Sequence, residues 1–325
     1  MADLTYRQAV GRGIAQEMAR DPRVYFIGED IAAAGGVFKT TEGLHERFGP
    51  DRVRDTPISE EAITGAVMGA AMNGLRPIAE IMFSDFFATC WDIVANQIAK
   101  ARYMTDGQIT LPLVIRSANG GGARFGAQHS QAMENWAMAV PGLKVVAPSN
   151  PRDVIGLLAA SVRADDPVIF LEQKSLYASK QDVPEGEIVD ELGKATLARE
   201  GSDVTVVALA AMVPRAVEAA EILAGRGVDV EVIDLRSLVP LDMTTVLRSV
   251  AKTSRLVTVE ENPRLCGWGA EVTSIVTEEA FYDLDAPTLR ITTPHIPLPS
   301  ADTLEDLAMP SSATIVTQIQ RVANG

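Results

Sequence analysis

Residues 55–87 read DTPISEEAITGAVMGAAMNGLRPIAEIMFSDFF. Two periodicities follow each other in this stretch. Glu60–Asn73 consists largely of helix-compatible residues at helical spacing, and Asn73-Gly74 ends it, because both residues accept the left-handed backbone that closes a helix. Pro77–Met82 is then a short, almost uninterrupted apolar run bounded by turn residues, which predicts a strand. An unbroken apolar strand is buried on both faces. A helix leading directly into such a strand is the unit from which parallel sheets covered by helices are built.

The alternation continues outward in both directions. Val24–Gly28, Leu113–Arg116, Lys144–Ala147 and Pro167–Leu171 read as further strands, and Ala88–Tyr103 and Arg152–Arg163 as helices. Gln181–Lys194, QDVPEGEIVDELGK, breaks the pattern with Pro, Gly and alternating acids, the composition of a linker or surface crossing. Behind it the alternation restarts. Strands are predicted at Val204–Leu209, Val228–Asp234, Arg255–Glu260 and Leu289–Thr292, and helices at Val213–Ala224, Thr244–Ala251, Ala270–Phe281 and Ser311–Val322. The predicted fold class is α/β with two parallel-sheet domains, residues 1–190 and 191–325.

Composition narrows the function. The 325 residues carry 29 Lys and Arg against 43 Asp and Glu, a formal charge of −14, which disfavours nucleic acid and anionic membrane surfaces as partners. Apolar stretches such as Val204–Val213 fall well short of the ~20 residues of a membrane span. MADLTYRQAV at the start lacks the basic-then-apolar pattern of a secretory signal, and Cys90 and Cys266 make neither a disulfide framework nor a metal motif. The expectation is a soluble cytoplasmic protein.

Local signals concentrate where strands are predicted to end. Ser59 is placed as an N-cap with Glu60 and Glu61 in the first helical turn; Glu60 is either an ordinary first-turn acid or a carboxylate facing a ligand across the sheet edge. Asn119-Gly120-Gly121-Gly122 follows a strand, and glycines there let a backbone approach a ligand closely. His129, one of three histidines, lies shortly after on the same segment; it is placed either to meet a substrate or to make a structural hydrogen bond. No dinucleotide, P-loop, zinc or nucleophile-elbow motif is present. The small residues of Gly65–Gly74 predict close helix packing, and Arg264–Gly269 reads as an interface loop.

Taken together, several segments resemble a known family. DTPISEEAITGAVMGAAMNGLRPIAEIMFSDFF, NGGGARFGAQHSQ (119–131), PGLKVVAPSNPRD (141–153) and DDPVIFLE (165–172) stand in the order and spacing of the β subunit of thiamine-diphosphate-dependent 2-oxo acid dehydrogenases. These are the decarboxylating components of the pyruvate, branched-chain 2-oxo acid and acetoin dehydrogenase complexes. VIDLRSLVPLD (232–242) and VTVEEN (257–262) are similar to the family's transketolase-type C-terminal domain. The resemblance implies a pyrimidine-binding first domain in which Glu60 hydrogen-bonds a ring nitrogen of the cofactor's aminopyrimidine and so helps generate its carbon nucleophile. Such a carboxyl should be buried on binding and its pKa raised. Ile58, Met82 and Phe86 match positions that line the aminopyrimidine pocket; Thr89 falls where some relatives carry glutamine.

His129 matches the family's active-site histidine, implied to hold substrate or the incoming lipoyl group and to move a proton during acyl transfer. A monovalent cation such as K+, held largely by backbone carbonyls, would map near Leu113, Val162, Ala164 and Asp166. The GDG motif and later asparagine pair that bind diphosphate and Mg2+ in this cofactor class are missing; the chain has Thr105-Asp106-Gly107 and no Asn-Asn. The resemblance therefore implies an α subunit that supplies this half-site, in an assembly of two α and two β chains serving a lipoyl-bearing acyltransferase core. TTPHIPLPSADTLEDL (292–307) looks more like acetoin dehydrogenase β chains, whereas NGGG and GEDIAAAGGVFKTTEGL (28–44) look closer to branched-chain members. A split transketolase transferring ketol groups is the neighbouring alternative.

Overall fold

The computed structural model describes residues 1–323, and the chain divides into two units. The first comprises Met1–Asn119 and Trp136–Leu192, and the second Gly120–Asn135 and the chain from Gly193 onward.

In the first unit the elements are β1 (Ala2–Thr5), α1 (Tyr6–Arg20), β2 (Val24–Gly28), α2 (Leu44–Phe48), β3 (Val53–Asp55), α3 (Glu60–Met72), β4 (Arg76–Phe83), α4 (Phe87–Asp92), α5 (Ala101–Met104), β5 (Val114–Asn119), α6 (Glu134–Met138, which begins in the second unit), β6 (Lys144–Val146), α7 (Pro151–Arg163), β7 (Val168–Gln173) and β8 (Lys180–Val183). Six strands run parallel in the order β3-β2-β4-β5-β7-β6, while β1 and β8 form a separate antiparallel pair. Helix starts follow their sequence: Thr5 and Gln8 form a reciprocal capping box on α1, and Asn150 accepts from the Asp153 N–H ahead of Pro151 on α7. Gly13 lets α1 approach α7 closely, since a Cβ there would lie 3.0 Å from Leu158 Cδ2. At that helix contact the buried Glu17 accepts from Arg163 (2.8 and 3.0 Å) and Arg20 (2.8 Å). Burial pushes the Glu17 pKa up, but these donors together with Gln16 outweigh it and hold the carboxyl below its ordinary value.

The centre of this sheet carries charge. Arg116 on β5 is 2% exposed. Its register partner on β4 is Glu80, and Glu172 on β7 stands two residues beyond its register partner Phe170, so all three side chains share one face. The guanidinium donates through Nε and Nη2 to the two carboxylate oxygens of Glu172, both at 2.6 Å, and through Nη1 to Glu80. Nη2 also donates to Thr40 Oγ1 at 3.2 Å, and the Tyr177 hydroxyl donates to Glu172 at 2.9 Å.

The second unit contains β9 (Thr196–Arg199), β10 (Val204–Ala208), α8 (Met212–Ala224), β11 (Val230–Asp234), β12 (Ser237–Val239), α9 (Met243–Thr253), β13 (Leu256–Pro263), α10 (Gly269–Glu279), β14 (Leu289–Thr293), α11 (Asp302–Ala308) and α12 (Ser312–Ala323). Its sheet has the order β14-β13-β10-β11-β9, parallel except for β9. The central strands β10, β11 and β13 are largely buried, and the Thr205 hydroxyl on β10 bonds Ser249 and Thr253 on α9, each at 2.6 Å.

Two expectations are corrected. Ala88–Tyr103 is not one helix: Cys90 leaves the helical region (φ −127°, ψ 15°), Ile93–Ile98 widens to a π-helix, and only then does α5 begin. The close packing expected of the small residues on α3 is absent at Gly65 and Gly69, where a Cβ would find no other atom within 4 Å among the described residues. Among the described residues no helix is long and apolar enough to cross a membrane.

The Arg116 cluster gives a direct test. Arg116→Met leaves two buried carboxylates facing each other, so the chain should lose about 3–5 kcal/mol of stability, read as a fall in the urea midpoint. An unchanged midpoint would show that the cluster does not hold the sheet.

Candidate functional site

Parallel strands end on one edge, and in the first unit that edge collects polar and apolar groups from three neighbours. Glu29 follows β2, Ile58-Ser59-Glu60 follows β3, and Met82 to Phe86 close β4. Ser59 occupies the N-cap of α3, as expected, but its side chain makes no capping bond; its backbone N–H lies where it favours the ionised Glu29 carboxylate. Glu60 is thus the first residue of α3, half-buried, with its charge at the favourable end of the helix. The Asp55 carboxylate accepts from the Ala32 N–H at 2.8 Å and pins the loop that follows Glu29.

The apolar side of the edge comes from β4. The register with β5 slips between Ile81 and Phe83, so Met82 sits in a β-bulge and is half-buried. Bulges re-aim side chains, and this one lies at the strand end that faces the site. Phe83 packs edge-on against Phe86 (5.4 Å) and Phe38 (5.5 Å), which leaves Phe86 half-buried. Ile58 is 83% exposed. The four pocket residues expected from the sequence, Ile58, Glu60, Met82 and Phe86, therefore all lie on this edge, and Ile58 in particular is open to whatever covers it.

Two groups here were not anticipated. The Glu29 pKa is raised, first by burial and then by repulsion from Glu60 and Asp30, with the Ser59 N–H opposing. Glu29 and Glu60 are thus neighbouring acids; the available signal for Glu29 was an acid directly after the strand predicted at Val24–Gly28. Cys90 is buried, and its thiol is pushed up to about 12 by desolvation and by the neighbouring charge of Glu60, with a side-chain bond to Thr64 opposing. Thr64 in turn donates to the Glu60 carbonyl at 2.8 Å, so the first turn of α3 and the broken helix α4 meet at this point.

His129 belongs to the second unit, on the segment Gly120–Asn135, and is half-buried. That segment returns on itself, with the Gly120 N–H donating to the Gln131 carbonyl at 3.0 Å. Asn262 on β13 anchors its far end by donating to the Ala132 carbonyl (2.9 Å) and to Glu134 Oε2 (3.2 Å). In the Arg264–Gly269 loop, the Cys266 carbonyl accepts from Asn135 Nδ2 at 3.0 Å.

The four positions named for a monovalent cation do lie together in the first unit, but the chain serves them itself. Arg76 Nη1 donates to the Val162 and Ala164 carbonyls (2.9 and 3.1 Å), and its Nη2 pairs with Asp165 at 2.7 Å. The Leu113 carbonyl accepts from the Val168 N–H at 3.0 Å, and the Asp166 carboxylate is held by Lys144 and Arg102. Positive charge is therefore already supplied at this cluster by side chains. Among the described residues no group of three or more His, Cys, Asp or Glu side chains could hold a metal ion.

With this geometry in hand, the chain can be compared with known proteins. Residues 2–180 match the transketolase pyrimidine-binding domain and residues 193–315 the transketolase C-terminal domain. The β subunit of acetoin:2,6-dichlorophenolindophenol oxidoreductase of Cupriavidus necator is 46% identical over 332 residues, covering 99% of this chain and 98% of that protein. Subunit beta-1 of the mitochondrial pyruvate dehydrogenase E1 component of Arabidopsis thaliana is 46% identical over 324 residues, covering 98% and 89%. The inactive β4 tetramer of a split-gene transketolase shares the fold, with a TM-score of 0.82 at 23% identity over 99% of this chain and 98% of that one. The chain therefore belongs to the family of β subunits of pyruvate and acetoin dehydrogenases, oxidoreductase components built from a transketolase pyrimidine-binding domain and a transketolase C-terminal domain.

Proposed function

We propose that this chain is the β subunit of a thiamine-diphosphate-dependent dehydrogenase that oxidatively decarboxylates a small 2-oxo acid and passes the acyl group to the lipoyl-lysine of an acyltransferase core. The observation that carries this reading is the sheet edge of the first unit, where one half-buried carboxylate, Glu60, opens α3 beside a bulged Met82 and a half-buried Phe86. An acid flanked by apolar surface suits the aminopyrimidine of thiamine diphosphate, so the residues present fit that group. When bound, the cofactor supplies a carbon nucleophile for attack on the substrate carbonyl. Glu60 holds a proton against a ring nitrogen of the aminopyrimidine, Met82, Phe86 and Ile58 orient that ring and exclude water, and His129 binds the acyl acceptor and moves its proton.

On this reading residues 1–190 serve as the pyrimidine-binding domain and 191–325 as the C-terminal domain. An α subunit covers the edge, contributes the diphosphate and Mg2+ half-site, and assembles as two α with two β chains. The relatives named as subunit beta, from Cupriavidus necator and Arabidopsis thaliana alike, support a partner chain. Both cysteines are free thiols, which suits a reducing compartment, and we place the protein in the cytoplasm. Acetoin is the second substrate to consider, because relatives named for acetoin and for pyruvate are equally similar, at 46% identity each. Ketol transfer, as in a split transketolase, is the neighbouring alternative, and an assay with sugar phosphates separates the two.

Co-expression with the α partner should give a complex that reduces a dye acceptor with pyruvate, 2-oxoisovalerate or acetoin. Glu60→Gln in that complex should lower turnover by about 10²–10⁴-fold, the usual contribution of a positioned acid or base. Parental turnover in the Glu60→Gln complex would refute the reading.

Glu29 supplies a pH test. Its pKa is raised in the folded chain, so the folded state holds the proton more tightly than the unfolded state does. The associated stability is fully present below the ordinary carboxyl value of about 4.3 and is lost as pH rises through the raised value. Glu29→Gln, which cannot ionise, should therefore match the parent near pH 4 and exceed it in denaturation midpoint at pH 7 and above.

A further inference from the structure

The segment that carries His129 is held by an acid-lined clasp. Three of its backbone N–H groups donate to carboxylates: Gly121 to Glu261 on β13, and Gly122 (3.0 Å) and Arg124 (3.3 Å) to Glu305 on α11. Both carboxylates are buried, so water competes little for these bonds. The fit is tight: a Cβ on Gly121 would stand 2.7 Å from Leu298 Cδ1, 3.1 Å from Met309 Sδ and 3.2 Å from Glu305 Oε1. Gly122 (φ 83°) and Gly126 (φ 74°) supply left-handed backbone on either side of Arg124, which itself sits at φ 65°.

Arg124 closes the clasp. Its Nη1 donates to Glu305 Oε2 at 2.7 Å and to the Asp302 carbonyl at 3.1 Å, its Nη2 to Asp306 at 2.7 Å, and its Nε lies 3.3 Å from the Asp302 carboxylate. The Asp302 and Asp306 side chains are well exposed, and exposed pairs contribute little. Glu305 is different. Its side chain is fully buried, and Arg124 is its only cationic partner among the described residues. Two carboxylates therefore bind the start of the loop, and one guanidinium neutralises the more deeply buried of them, while the loop's far end is closed by Gly120 and Gln131.

We propose that Arg124 is a positioning residue: by pairing with Glu305 it holds the Gly120–Gln131 loop in the one conformation that presents His129 to the acyl acceptor. This makes α11, 181 residues along the chain from Arg124, part of the apparatus that aims the histidine. The inference rests on the role proposed above for His129.

The test uses the assembled α–β complex carrying Arg124→Ala, Arg124→Lys, Asp306→Ala or His129→Gln. Hydrogen exchange at the amides of residues 121–124 reports loop placement without reference to chemistry, and turnover is measured with both a dye acceptor and a lipoylated acyltransferase domain. Arg124→Ala should speed exchange by about 10–100-fold and lower kcat/KM with the lipoylated domain by about 10–100-fold, with a smaller loss for the dye. Arg124→Lys should recover most of both, and Asp306→Ala should stay within about two-fold of the parent. Parental exchange in Arg124→Ala overturns the proposal. So does faster exchange with parental turnover in both assays while His129→Gln is impaired. Parental turnover in His129→Gln would instead remove the role of His129, and the exchange rates alone would then decide whether Arg124 holds the loop.

Discussion

The first unit depends on a guanidinium placed where an apolar residue would be the ordinary choice. Arg116 lies between Glu80 and Glu172 in the middle of three adjacent parallel strands, and burying one charge there demands the others. Apolar parallel strands specify register weakly, because a slip of two residues still presents one apolar side chain to another. A charge that must meet a carboxylate on each flank removes that freedom. Once β4, β5 and β7 are locked, their carboxyl ends are locked too, and Met82 and Phe86 are fixed relative to the core. The same guanidinium reaches Thr40 on the loop between β2 and β3, so the segments carrying Glu29 and Glu60 are tied to the same point.

This pattern recurs through the chain and explains how a protein with 43 acids and 29 basic residues keeps a sound interior. Glu17 is met by Arg163 and Arg20, Glu260 by Arg290 and the Gly269 N–H, Glu231 by Lys252 and the Gly201 N–H, and Glu305 by Arg124 and two loop N–H groups. In the last three, a glycine brings its backbone donor within reach of the carboxylate. Inside the two units each of these carboxylates has a cation and, where a loop must be fixed, a backbone amide as well.

Much of this was legible beforehand, for a definite reason. Val24–Gly28, Pro77–Met82 and the helix from Glu60 follow from hydrophobic period alone, because parallel strands are apolar on both faces and the helices between them are punctuated by Asn73-Gly74 and Asn150-Pro151. Elements stabilised by something other than period were missed. β1 and β8 are a short antiparallel pair in which Val183 alone is fully buried, and α1 was overlooked although Thr5 and Gln8 spell a capping box. The break at Cys90 has no sequence marker, since neither Gly nor Pro is involved. At the site, Glu60 stood out through its motif, whereas Glu29 gains its meaning only from the register that sets β2 beside β3. The carbonyls at Val162 and Ala164 carry no side-chain signature, and neither does the use that Arg76 makes of them.

The sheet edge itself is a local conflict that the rest of the fold makes tolerable. Two carboxyls, Glu29 and Glu60, are close enough to repel, one of them is buried, and a third acid, Asp30, adds to the repulsion. A chain selected only for stability would relieve this with one amide substitution. Instead the Ser59 N–H lies where it favours the Glu29 carboxylate, and Glu60 stands in the first turn of α3, the favourable end of a helix for negative charge. A carboxyl whose pKa is raised at the carboxyl end of a parallel sheet is a feature of sites that hold protons. The strain falls where β2, β3 and β4 all end, and the Arg116 cluster gives those strands the rigidity to bear it.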